Sequence, residues 1–122
     1  MNPAAHLRRG ASAERFACRW LQHQGLQLLH TNHRCKAGEI DLIMLDGECL
    51  VIVEVRFRRG PGYGGAAGSI TARKQQRILR ATRHLLQRYP ALGTRPLRFD
   101  VVAITGARPA RVDWRRHAFF AD

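Results

Sequence analysis

The sequence predicts an α/β protein: a mixed sheet with a hairpin at its centre and helices packed on it. Two segments, 39–45 and 48–58, flank Asp46-Gly47 and are rich in apolar and β-branched residues, the pattern of a tight hairpin. The segments 11–24 and 72–89 repeat apolar residues at helical spacing. The order helix, strand, hairpin, helix, strands lays helices against a mixed sheet. The chain of 122 residues is read as one domain, because a second core would have too little chain.

The first helix, Ala11 to Gln24, turns Ala13, Phe16, Ala17, Trp20 and Leu21 inward, and Gly25 caps it. Leu26 to Arg34 is an expected edge strand, and Lys36-Ala37-Gly38 a turn. After the hairpin, residues 59–68 hold five glycines and a proline and form an expected mobile loop. No Gly-Lys-Ser/Thr follows, so this is not a Walker loop. Ser69 or Thr71 caps the next helix, which presents Ile78, Ala81, Thr82, Leu85 and Tyr89 on one face and ends at Pro90. Leu97 to Ile104 is a strand, and Arg111 to Trp114 a last short one.

Charge narrows the partners. The chain carries 21 Lys+Arg against 9 Asp+Glu, a net +12, and such a domain repels itself unless a polyanion is near. Nucleic acid is the expected partner, held through phosphates. Codon bias explains why 19 of the 21 basic residues are Arg, but not the shortage of acids. The longest apolar run, Cys49 to Val53, is far too short to span a bilayer. No secretory pattern is visible, and the three cysteines show no C-x-x-C spacing. A cytoplasmic protein with no membrane contact is expected.

Three acids fall inside the hairpin: Glu39, Asp41 and Glu54. A turn at Asp46-Gly47 would set Glu39 opposite Glu54 with Asp41 diagonal, so all three project to one side together with Arg56. The other side, with Ile40, Leu42, Met44, Val51, Val53 and Val55, belongs to the core. Crowded, partly buried carboxylates need a compensating cation. Two readings supply it. In one, a divalent metal sits on the acids, and an oxygen-only set suits Mg²⁺ or Mn²⁺. In the other, Glu54 pairs with Arg56 or Arg58 and Glu39 is solvated. A metal pocket inside a basic protein has the layout of a phosphodiester-cutting site.

At these residues, Gly38-Glu39-Ile40-Asp41-Leu42-Ile43 followed by Val53-Glu54-Val55-Arg56 resembles the D…(E/D)-x-K signature of restriction-endonuclease-like nucleases. The whole chain is similar to the bacterial YraN-like family, which itself resembles archaeal Holliday-junction resolvases. The resemblance runs from Ala13-Glu14-Arg15 through Lys74 to Arg98-Phe99-Asp100 and His117-Ala118-Phe119. It implies a restriction-endonuclease-like three-layer sandwich. It implies Asp41 and Glu54 as metal ligands, the Val55 carbonyl as a third, Glu14 completing the acidic pocket and Glu39 as an accessory acid. Lys74 would face phosphate, and a homodimer is implied by the dimeric resolvases. The chain departs from the signature at Arg56, which stands where the family has Lys. Arginine can stabilise developing charge but cannot act as a base.

Further basic residues extend the reading. Arg73 and Arg77, with Arg80, make a phosphate-tracking ridge on the second helix, and Arg58, Arg59 and Tyr63 border or occupy the glycine loop, where Tyr63 could stack on a base. His30 and His33 are expected to be solvated or phosphate-facing, Asp100 to be buried against an arginine or a backbone amide, and Phe16, Trp20 and Phe99 to be core. The expected function is a Mg²⁺- or Mn²⁺-dependent nuclease-like protein acting on DNA, branched DNA included. The alternative is a non-catalytic nucleic-acid-binding protein that keeps the nuclease fold.

Overall fold

The computed structural model describes residues 3–58, 70–106 and 109–120, without the side chains of 3–9 and of Arg58. The loop 59–68, with Arg59 and Tyr63, lies outside the described residues. Helix α1 (Pro3–His23) leads into β1 (Gln27–Cys35), β2 (Gly38–Asp46) and β3 (Cys49–Arg58). Helix α2 (Ala72–Arg88), a 3-10 turn (Pro90–Thr94), β4 (Leu97–Thr105) and β5 (Arg111–Phe119) follow. The strands lie in chain order in one sheet. β3 and β4 run parallel and every other neighbouring pair antiparallel.

Each helix covers one face. Ala13, Ala17 and Leu21 of α1 pack on Leu42, Met44, Val51, Val53, Val102 and Ile104. Ile78, Ala81 and Leu85 of α2 pack on Ile40, Ile43, Leu50, Ile52 and Phe99. The sheet therefore sits between two helical layers, as the sequence predicts. The inward stripe of α1 is narrower than expected. Two alanines let the helix lie close, and Phe16 is left on the flank, 43% exposed. Tyr89 is likewise exposed at the end of α2, and Ile40 joins the α2 side, not the side of Leu42. The last strand runs on to Phe119, whose ring stacks on Phe99 at 4.8 Å. Among the described residues, no helix is long and apolar enough to cross a membrane.

The hairpin turns one residue later than predicted. Asp46 pairs with Cys49, so Gly47 and Glu48 make the turn, and Gly47 takes φ 58°. Positive φ at the first turn position is what glycine supplies there. Asp46 stays in the strand because Arg98 Nη1 holds its Oδ2 at 2.8 Å. The register thus differs from the predicted one by two residues, an even shift that by itself moves no side chain to the other face.

Arg98 also binds inward. Its Nε donates to both oxygens of Asp100, at 3.1 and 3.2 Å. Asp100 is fully buried and accepts further from Trp114 Nε1 and the His117 backbone N–H. One carboxylate thereby joins β4 to β5 and, through Arg98, to the hairpin turn. Arg98 Nη2 is buried and has no hydrogen-bond partner among the described residues, so if Asp100 were lost the guanidinium would be left with Asp46, which is itself partly exposed. Asp100→Ala should cost about 3–5 kcal/mol by breaking a buried ion pair and leaving the Trp114 and His117 donors without their acceptor, measured as a lower urea midpoint at unchanged slope.

Gly38 opens β2 directly beneath α2. A Cβ there would collide with the Arg77 carbonyl, so the glycine lets the helix approach the strand. Gly38→Ala should destabilise by roughly 1–3 kcal/mol through overpacking, read by thermal melting.

Candidate functional site

The site lies where β2 departs from regular strand. Ile40 and Ile43 both belong to the α2-side core, while Leu42 lies on the α1 side. Strict alternation would put residues three apart on opposite faces, so β2 rolls over between Ile40 and Leu42. Its neighbour rolls with it. Asn32 has φ 54°, and His33 beyond it is buried, its Nε2 3.0 Å from Nδ1 of His84 on α2. The β2–β3 pairing ends at Leu42 and Val53. Past that point the Val55 N–H donates to Asp41 Oδ2 at 2.9 Å, so a side chain takes over from the ladder.

Carboxyl groups gather at this opening. Asp41 is 9% exposed and Glu54 6%. Asp41 lies beside Glu54 on one side and Glu14 of α1 on the other. Glu14 also bonds Asn32. Lys74 of α2 closes the row, with Nζ 2.6 Å from Glu54 Oε1. Burial and like-charged neighbours both favour the protonated form, so the row resists full ionisation on its own. Burial, then the neighbouring Asp41, pushes the Glu54 carboxyl up to about 7, and Lys74 offsets only part of this. Burial likewise raises Asp41, against the pull of the Val55 amide, and raises Glu14, with Asp41 adding to it. Lys74 neutralises incompletely because its side chain is half exposed and screened by water.

A cleft of about 360 Å³ opens over the Glu54–Lys74 end of the row, with Glu39 and Glu54 on its strand side and Thr71, Arg73, Lys74 and Arg77 on its helix side. Thr71 caps α2, its Oγ1 accepting from the Lys74 backbone N–H. The cleft therefore has an acidic floor and a basic wall that includes a helix N-terminus, the end that favours anions. Glu39 reaches this cleft but pairs with Arg34 at 3.2 Å, not with another acid. Arg56 lies half-buried on β3, two residues past Glu54 and opposite Ala103 of β4. Arg58 ends β3 opposite Thr105.

The row is built from the acids the sequence singles out, and a cation that meets Glu54 is Lys74, one turn before Arg77 on the helix that Gly38 admits. His33 was expected at the surface and is buried against His84, which lowers its pKa together with burial. The only hint in the sequence is that two histidines, His33 and His84, fall at faces the topology brings together. Asp100 sits in the structural cage described above.

Among the described residues, no group of three or more His, Cys, Asp or Glu side chains forms a ready metal cluster. An oxygen set does fit a smaller demand. Asp41 and Glu54 converge, and in an extended strand the carbonyl of Val55 points to the same neighbour as its N–H, which meets Asp41. Two carboxylates, a carbonyl and water are what Mg²⁺ needs.

Fold and site together define an α/β sandwich with a buried acid row under a basic cleft. The model of "Uncharacterised protein family UPF0102" matches residues 13–104, and the chain belongs to that family. A UPF0102 protein of Alkalilimnicola ehrlichii is 55% identical over 119 residues, covering 98% of this chain and 92% of that one. A UPF0102 protein of Nitrosococcus oceani is 48% identical, covering 98% and 97%, and one of Pseudomonas putida is 49% identical, covering 98% of each.

A raised carboxyl pKa means the folded state holds that proton more tightly. Glu54 thus adds stability that is fully present below its ordinary value of 4.5 and is lost as the pH rises through about 7. Glu54→Gln should gain stability over the metal-free native protein between pH 5 and 8, by up to about 3 kcal/mol, seen in paired melting curves. If the Lys74 ion pair dominated instead, the variant would lose ground over that interval.

Proposed function

We propose that the chain is a Mg²⁺- or Mn²⁺-dependent nuclease-like protein acting on DNA, with branched DNA among its substrates. The single observation that carries this reading is the meeting of Lys74 with Glu54 beside Asp41, at the base of a cleft walled by Arg73 and Arg77. The signature lysine is absent at Arg56, and Lys74 brings an ammonium to the same carboxylate from another element. Asp41, Glu54 and the Val55 carbonyl hold the divalent ion, with Glu14 behind them. The ion would supply Lewis-acid polarisation of a phosphodiester. Arg73, Arg77 and the N-terminus of α2 bind and orient the phosphate. Lys74 and Arg56 stabilise negative charge that grows on it. Glu39, tied to Arg34, shapes the strand side of the cleft.

A non-catalytic reading draws on the same contact. The Val55 amide and Lys74 already meet Asp41 and Glu54, so the cleft could bind nucleic acid without cutting it. The test is cleavage of a labelled four-way junction beside linear duplex, with Mg²⁺ or Mn²⁺. Metal-dependent cutting is expected, abolished by Asp41→Asn and lowered about 100-fold by Lys74→Ala. Intact DNA, together with no heat of divalent-ion binding by calorimetry, would leave only the binding function.

A further inference from the structure

Phe16 separates two spaces on the outside of α1. One is an apolar hollow of about 390 Å³ that it shares with Phe57 and Ile104. The other is a groove of about 430 Å³ that it shares with Arg15, Arg19 and Trp20. Phe16 and Phe57 are 43% and 44% exposed, a large cost in water for two aromatic rings that flank one hollow. Arg15 and Arg19 point outward, and neither has a carboxylate partner among the described residues. Among those residues Arg15 donates only to Ser12 Oγ. Both arginines also line a third space that reaches Glu14 and Asn32, so the groove leads from the acid row. Phe57 lies three residues beyond Glu54 on β3.

Exposed aromatic rings beside unpaired arginines suit a partner that offers flat apolar faces and negative charge together. Unpaired nucleotides have that chemistry: a base stacks on the ring and its phosphate meets the guanidinium. Duplex DNA hides its base faces and would use the arginines alone. A second copy of the chain suits the surface poorly, because a two-fold contact sets Arg15 and Arg19 against their own copies in a protein of net charge +12. We propose that the outer face of α1 binds an unpaired nucleic-acid strand, with bases on Phe16 and Phe57 and phosphates on Arg15 and Arg19. This rests on the nucleic-acid reading above and names the part of a branched substrate that the face would take.

The test is fluorescence anisotropy without divalent ions, using a labelled oligothymidylate and a blunt duplex of equal length. Phe16→Ala and Phe57→Ala should each weaken oligothymidylate binding by about five-fold or more, while duplex affinity stays within about two-fold. Arg15→Gln combined with Arg19→Gln should reduce the slope of log affinity against log salt by about 1.4 on the single strand. Melting curves check that the surface variants fold. Unchanged oligothymidylate affinity in both Phe variants overturns the proposal, and so does an effect confined to self-association in sedimentation. If the native protein binds and cuts a junction while the Phe variants behave like it, only this inference fails. If the native protein binds neither probe, the nucleic-acid reading fails with it.

Discussion

Water is withheld from Asp41 and Glu54, and each lies against another acid. Much of the molecule around them follows from that crowding. Buried carboxylates are tolerated only when protons, amides or cations meet them. Here all three have a place along one row: the Val55 amide on Asp41, a raised affinity for protons at Glu14, Asp41 and Glu54, and the Lys74 ammonium at the end. No single element could supply this set. The row draws on α1, β2, β3 and α2, so its geometry depends on how both helical layers seat on the sheet.

The seating has identifiable causes. Ala13 and Ala17 bring α1 close to the sheet, and Gly38 lets α2 rest against the start of β2. The roll of β2 and β1 at Asp41 and Asn32 opens the ladder where the acids need room. Over Leu42–Leu45 and Leu50–Val53 the hairpin pairs regularly and is apolar on both faces, and its turn is fixed by Arg98 and Asp100. The irregular stretch at the acids is thus flanked by well-packed structure, which keeps a costly cluster from relaxing.

Much of this was legible in the residues. Apolar alternation marked the hairpin and both core faces, and the position of three acids inside it marked the site. The turn was misplaced by one residue because Asp46-Gly47 is a strong local signal, whereas Arg98, which keeps Asp46 in the strand, is distant in sequence. The even register error did no harm to the faces, since alternation cannot distinguish shifts of two. Phe16 has the spacing of a core residue, and only the close approach of the neighbouring alanines pushes it aside. The contacts of Lys74 with Glu54 and of His33 with His84 depend on packing between elements, which periodicity does not record. The full length of β5 was hidden by its many arginines, which are poor strand signals but comfortable on an exposed edge.

Both outermost strands are bent. β1 carries a register break between Leu28 and His30 and a left-handed residue at Asn32. β5 is paired through a break between Phe99 and Val101 and has His117 at φ 51°, its N–H turned inward to Asp100. Neither border offers the straight row of amides and carbonyls on which another strand could zip. The sheet is in effect hemmed at both sides: growth by strand addition is blocked, and any neighbour the molecule accepts must meet it through a helix or a side-chain surface.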